Sequence, residues 1–508
     1  RGRAAAYATR VRTAAAATPA PAAPAGDADA EEDAPSRAGV GAILRYALPS
    51  VAVATGAPAN TMIDSLAVGL ASTTSDLAAL GANGAVFNFI TYALTGLSMS
   101  TLSLVGAERE KGGTAVAADA EPVAKLGAEG DGSGAARRPL SQRSGQIVCV
   151  ALLFALFLGA AATVSLWCLG ERVLLLDDPD ALARAASYLH VRAVSLPAVL
   201  LTMVANSALF AQKDSVTPAR AVAASCALNA AGNALNAFLF KQGVAGTAWA
   251  TVVAEVAVAA IMLRALARSG AYALPVGGVA DDGGEWKAPS LGTFARFGAS
   301  AAPLCAMYVL KNLCYLIIQS AGVCLGVVKT AAHQAVWAVW ALCTFCTTPF
   351  EHTVLAFLPG ARGDTRERAR LLRTILGLST SFGLTLGALV AALPHVAPWL
   401  LTPDRAVWEA MRVTSLPAML ALALCGCEMA LSGALIERGL FRAQTAGMLL
   451  TLGVTVAYFY TQWAALDIGV VWWGVALFFF ARTSFSALWL ALFGRARDRG
   501  ARGAAAPA

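Results

Sequence analysis

Apolar stretches recur from residue 43 to residue 493, separated by short polar connections. A hydrocarbon core needs about 20 predominantly apolar residues per crossing helix, so this pattern predicts about twelve membrane-spanning helices. They fall near residues 43–69, 77–105, 145–169, 185–211, 218–240, 245–268, 291–320, 327–358, 370–396, 406–434, 440–461 and 470–493. Prolines inside these runs, such as Pro49, Pro197 and Pro417, are compatible with spanning helices because neighbouring helices satisfy the backbone groups that proline frees. The fold class is therefore an all-α integral membrane protein embedded in a lipid bilayer.

Composition agrees with this pattern. Charged residues make up only 14% of the chain, against about 25% in an average soluble domain. The net charge of +7 does not indicate a nucleic-acid partner, since the arginines lie in short connections and in the two tails. Most of the 38 Lys and Arg residues fall on one side of the membrane when the tails and every second connection are grouped, which places both termini on the positive, cytosol-like side. Ten cysteines are scattered mostly through apolar segments. Cys343-x-x-Cys346 and Cys425-x-Cys427 lack the histidine spacing of a metal site and read as small apolar residues. No metal and no cofactor is expected.

An internal repeat is also legible. Arg192-Ala-Val-Ser-Leu-Pro-Ala-Val-Leu recurs as Arg412-Val-Thr-Ser-Leu-Pro-Ala-Met-Leu, and Arg45-Tyr-Ala-Leu-Pro is weakly echoed by Arg296-Phe-Gly-Ala-Ser. Repeats of this kind mark transporter folds. The expected organisation is a tail at 1–40, an N-terminal lobe of six helices at 41–268 with a flexible Gly-rich loop at 106–143, and a linker at 269–290. A C-terminal six-helix lobe at 291–494 and a basic tail at 495–508 follow. Residues 1–26 are rich in Ala, Arg, Thr and Pro and lack acids before Asp27. That composition suits either the remnant of an organelle transit peptide or a disordered arm.

Four strings carry a family resemblance: Met62-Ile-Asp64-Ser-Leu-Ala-Val-Gly69 in the first span, Ala211-Gln-Lys-Asp-Ser-Val-Thr-Pro218 after the fourth, Gly243-Val-Ala-Gly-Thr-Ala-Trp-Ala-Thr251 opening the sixth, and Ala331-Ala-His-Gln334 at the start of the eighth. In order and spacing they resemble multidrug and toxic compound extrusion (MATE) carriers. Lys311 before a Tyr-rich helix, with the Ala-Ala-His-Gln string, most resembles the plastid-type plant members associated with organic or phenolic acids. The resemblance implies two six-helix lobes related by a pseudo-two-fold repeat. It also implies antiport by alternating access, in which H+ or Na+ enters as a small organic solute, an organic acid or an organic cation, leaves. The plastid envelope is the expected membrane, with the plasma or vacuolar membrane as alternatives, and a monomer is expected.

An ionised carboxylate near the bilayer centre costs about 2.5–3.5 kcal/mol on the insertion scale, so it persists only with a partner or a purpose. Asp64, with Asn60 one turn before it, matches the family's first-helix aspartate, which implies an ion-coupling role. Where the family shows Asn-x-x-x-Asp, this chain has Asn229 and Asn233, so one acid is missing. Asn233 and Asn236 are expected either to reach substrate or Asp64 or to hold helices together. Glu255, one turn after Thr251, is expected either to replace that acid or to be a buried or snorkelling carboxylate paired with a local hydroxyl. In the second half, Lys311 with Asn312 and Glu428 are the candidates, and an ion pair between Lys311 and Glu428 that substrate or protons break is expected. Lys311 suits an organic anion. Ion coupling is thus assigned to Asp64, Glu255 and Glu428, and substrate contact to Asn60, Asn229, Asn233, Thr251, Lys311 and Asn312. Glu351 and His352 are expected at a wet helix end, and His190 in a polar connection.

Two other classes compete with the antiporter. A facilitator-type carrier or a lipid-linked substrate flippase of related fold would share the architecture. An intramembrane enzyme would show a His-Glu-x-x-His helix or a Gly-x-Ser-x-Gly serine; the spans carry neither, and the chain is not read as an enzyme.

Overall fold

The computed structural model describes residues 39–71, 83, 86–119, 142–174, 179–269, 288–361, 364–402 and 404–503. Most of the expected tail at 1–40 and of the linker at 269–290, and the last residues of the basic tail, lie outside the described residues. All regular elements described are helical. In chain order they are α1 (Val40–Ala71), α2 (Thr95–Asp119), α3 (Gln142–Val173), α4 (Pro179–Ala193), α5 (Leu196–Ala211), α6 (Val216–Leu235) and α7 (Gly243–Arg268). The second half supplies α8 (Leu291–Val323), α9 (Val327–Thr347), α10 (Pro349–Phe357), α11 (Thr365–Val396), α12 (Arg405–Val413), α13 (Ser415–Glu437), α14 (Phe441–Gln462) and α15 (Ile468–Gly503).

Among the described residues, nine helices are long and apolar enough to cross a membrane, and α4 with α5, bent by 47° at their junction, makes a tenth span. The helices α9 and α14 have 21 and 22 residues, long enough to cross but less apolar. Each of the twelve expected spans thus has a helical counterpart. Four of them are broken, at Leu94, at residues 194–195, at Thr348 and at Thr414. The two halves of the sequence repeat explain two of these breaks. Pro197 and Pro417 stand at i+4 from Ala193 and Val413, the last residues of α4 and α12. A proline ring clashes with the carbonyl at i−4 and offers it no N–H, so the helix stops there and restarts. Pro49, Pro58 and Pro303 lie inside intact helices.

Other boundaries also differ from expectation. The first part of the predicted loop 106–143 continues α2 to Asp119, and the predicted tail from 495 continues α15 to Gly503. His190 belongs to α4 rather than to a connection. The resembling string Ala211–Pro218 forms a capped turn: Lys213 takes φ +61°, and Asp214 accepts from the Thr217 N–H at 3.0 Å and from its hydroxyl at 2.8 Å. A carboxylate there satisfies an N–H that the first turn of α6 leaves without a carbonyl.

Packing falls mainly within two groups. In the first half α1 lies on α6, α6 on α7, and α5 on α3 and α7; in the second, α11 lies on α13, α13 on α15, and α8 on α14. The halves meet chiefly where α2 lies on α8. The closest pairing, α11 on α13, depends on small residues at four-residue spacing, Ser379, Gly383 and Gly387, opposite Gly426. Without lipid-excluded hydrophobic area between helices, such contacts let backbones approach and gain dispersion energy. At the rim, Lys329 in the first turn of α9 pairs with Asp467 just before α15.

Two outcomes follow. A Cβ on Gly387 would stand 2.7 Å from the Met419 carbonyl oxygen, whereas Gly377 on the same helix has nothing within 4 Å. Gly387→Val is expected to destabilise by about 1–3 kcal/mol through overpacking, while Gly377→Val is not; equal thermal midpoints in detergent would refute this packing. The hydrogen bond from Lys329 holds the Asp467 carboxyl below its ordinary value. Its stabilisation is present above the ordinary carboxylate pKa of about 4 and is lost as pH falls through the lowered value. Both side chains are about half exposed, 51% and 46%, so the tie is worth no more than about 1 kcal/mol. The difference in unfolding midpoint between wild type and Asp467→Asn should be small at neutral pH and vanish in strong acid.

Candidate functional site

The first half holds one buried carboxylate with three donors. Asp64 on α1 is 4% exposed. Its Oδ1 accepts from the Asn229 amide at 2.8 Å and the Asn233 amide at 3.0 Å, and its Oδ2 accepts from the Thr251 hydroxyl at 3.0 Å. The i, i+4 spacing turns Asn229 and Asn233 onto one face of α6, and α7 presents Thr251 from the other side. The consecutive helices α6 and α7 are thus joined to the distant α1 through one acid. A cavity of about 30 Å³ adjoins it, lined by Thr61, Asp64, Asn83, Phe87, Asn88, Tyr188, Leu189 and Arg192. That is room for a water-sized guest.

Arg192 is the residue that sequence reasoning missed. Placed in the last turn of α4 by the break at Pro197, it pairs with Glu255 on α7 at 2.6 Å and lies over the Phe87 ring, 4.2 Å from its centroid. Glu255 therefore faces Arg192 and not Asp64. The position of the missing family acid is filled by Asn233 itself, already bonded to Asp64. The cavity brings Arg192 and Asp64 to one wall, so Glu255 reaches the site only through the guanidinium. The one signal in the sequence was Arg192 at the head of the repeat; its counterpart Arg412 is exposed.

Two expected contacts lie elsewhere. Asn60 donates to the Ser225 hydroxyl at 3.5 Å rather than to Asp64. Asn236 donates to the Gly243 carbonyl at 2.9 Å and accepts from the Gln242 N–H at 3.1 Å, stapling the turn between α6 and α7.

The second half separates the expected pair of Lys311 and Glu428. Glu428 on α13 is fully buried and pairs with Arg482 on α15 at 2.8 Å, with Ser486 donating to it at 3.4 Å. Depth along α15 decides this: Arg482 is a lone charge inside the span near 470–493, and packing sets its partner. Lys311 on α8, 4% exposed, sits instead among tyrosines, with its Nζ 5.2 Å from the Tyr92 ring centroid and 5.9 Å from those of Tyr308 and Tyr315. The side-chain nitrogen of neighbouring Asn312 has no partner among the described residues. Glu351 corrects another expectation. It is 2% exposed, accepts from Ser432 at 2.6 Å, and its helix α10 is packed against α13. The break at Pro349 turns this short helix into the protein, away from any wet end. His352 stacks against Phe210 at 5.0 Å.

A family model described as MatE matches residues 136–235. A solved structure described as the outward-facing conformation of a multidrug resistance MATE family transporter superposes with a TM-score of 0.73 at 17% identity, over 90% of this chain and 96% of that one. The chain is MATE-like in sequence and fold. A MOP superfamily transporter from Pyrococcus furiosus matches this MATE-like fold with a TM-score of 0.72 at 16% identity, over 90% and 95% of the two chains. Protein DETOXIFICATION 47, chloroplastic, of Arabidopsis thaliana is 27% identical over 258 residues, 50% of this chain and 45% of that protein. Protein DETOXIFICATION 44, chloroplastic, of the same plant is 27% identical over 227 residues, 44% and 40% of the two. The MATE-like chain thus matches less than half the length of these curated relatives.

Removing one partner of a buried ion pair strands the other charge, at a cost of about 3–5 kcal/mol. Arg482→Met is expected to lower the unfolding midpoint strongly, and adding Glu428→Gln should recover most of the loss. If the double variant is as unstable as the single one, the pair is not what holds α15 to α13.

Proposed function

We propose that this protein is a secondary active antiporter that exports a small organic solute through the bilayer in exchange for H+ or Na+, by alternating access of two lobes at 41–268 and 291–494. The observation that carries the reading is the buried Asp64 carboxylate, fixed by three donors from two other helices and exposed on one side to a small polar cavity. A packing role alone would not place an acid, a guanidinium and two amides around a void in the membrane. A group that takes up and releases a cation while its neighbours rearrange needs that combination of burial and access. Asp64 is the coupling group, with Asn229, Asn233 and Thr251 holding it. Glu255 acts through Arg192 by fixing the guanidinium beside the cavity. Lys311 and Asn312 face the solute, and the Glu428–Arg482 pair supports the second lobe.

The MATE-like fold and the transporter names of its structural neighbours support a carrier rather than an enzyme. The plant relatives named chloroplastic support a plastid envelope location. The partners in this reading are the lipid bilayer, the solute and the coupling ion, with the carrier acting as a monomer.

In proteoliposomes, an imposed proton or sodium gradient is expected to drive uptake of a solute drawn from a panel of aromatic carboxylates and organic cations. Asp64→Asn should abolish that uptake in a protein that remains monodisperse. Glu255→Gln should leave transport present but shift its pH dependence, since the guanidinium beside Asp64 is then released. Full gradient-driven uptake by Asp64→Asn would remove the coupling role, and an unmoved pH profile in Glu255→Gln would remove the role of Glu255.

A further inference from the structure

The setting of Lys311 carries an inference about what the second lobe refuses. Tyr308, Lys311 and Tyr315 lie at i, i+3 and i+7 on α8, so they share one face. Tyr92 from the first half closes the group, its ring edge-on to Tyr308 at 5.3 Å. The ammonium has three ring faces within about 6 Å, the range in which a ring quadrupole attracts a cation. Such a three-ring cage is the arrangement by which proteins recognise quaternary ammonium ligands. Nothing else among the described residues pairs with Lys311: Glu428 is committed to Arg482 and Glu351 to Ser432. Glu351, Glu428 and Arg482 lie within electrostatic reach of the site.

We infer that Lys311 is a specificity-determining residue: its own ammonium plugs a ready-made cage for organic cations, so the protein refuses quaternary ammonium solutes and takes neutral or anionic ones. The helical spacing along α8 and the cross-half contribution of Tyr92 make the cage a property of the fold. Shortening the lysine therefore uncovers a site rather than merely deleting a charge. The inference narrows the solute class of the carrier proposed above and rests on that reading for its meaning in transport, but the cage itself is tested by binding alone.

Radiolabelled tetramethylammonium is the probe, with binding measured by scintillation proximity on purified full-length protein. Lys311→Ala is expected to bind it at least tenfold more tightly than wild type. Lys311→Arg, which refills the cage with a cation, should behave as wild type, and adding Tyr308→Leu to Lys311→Ala should remove the gain. Should Lys311→Ala not be monodisperse, Lys311→Thr serves in its place. No gain in the shortened variant, equally tight binding by wild type, or a gain indifferent to Tyr308→Leu overturns the inference. A tyrosine-dependent gain in binding without gradient-driven uptake of any solute would leave the cage standing and bring down the antiporter reading alone.

Discussion

Polar groups inside a bilayer must find their partners within the protein, because no water is present to stand in for them. The arrangement of this chain follows from that constraint. Its backbone meets it by being helical along the described spans, apart from short turns where some of them break. Its buried charges meet it in three different ways: Asp64 by three neutral donors, Glu255 and Glu428 by arginines, and Lys311 by ring faces. Each solution draws at least two helices together, so satisfying the polar groups and assembling the bundle are one process.

The three solutions differ in what they leave free, and that difference separates scaffold from site. The Glu428–Arg482 pair is charge-matched and enclosed, an arrangement that holds helices and changes only at a high cost. Asp64 is held by three neutral donors beside a void whose lining also includes the Arg192 guanidinium. Lys311 is held by the faces of three tyrosine rings. The Arg192–Glu255 pair stands between these cases, because one face of the guanidinium belongs to a salt bridge and another to the cavity wall beside Asp64.

Helix breaks direct these side chains. The prolines of the repeated Arg-x-x-Ser-Leu-Pro string stop α4 and α12 at equivalent points, and the first of these breaks aims Arg192 at α7. Pro349 does the same for Glu351, carrying it on a short helix against α13. In each case a missing N–H and a ring clash, local events both, decide where a charge ends up. The close approach of α11 and α13 works the other way: glycines remove side chains so that two backbones meet.

Much of this architecture was legible in the residues themselves. Long apolar runs require helices of spanning length, and the distribution of Lys and Arg orients them, because both follow from transfer energies summed along the chain. The face shared by Asn229 and Asn233 was also visible, since it depends only on the period of one helix. Pairing between helices was not. Arg482 rather than Lys311 answers Glu428, Arg192 answers Glu255, and Asn60 turns from Asp64 to Ser225. These choices depend on relative depth, rotation and bend, and a shift of one turn or about 100° in any helix would change every partner. Local periodicity is written in the sequence, but which charges meet is decided only when the helices pack.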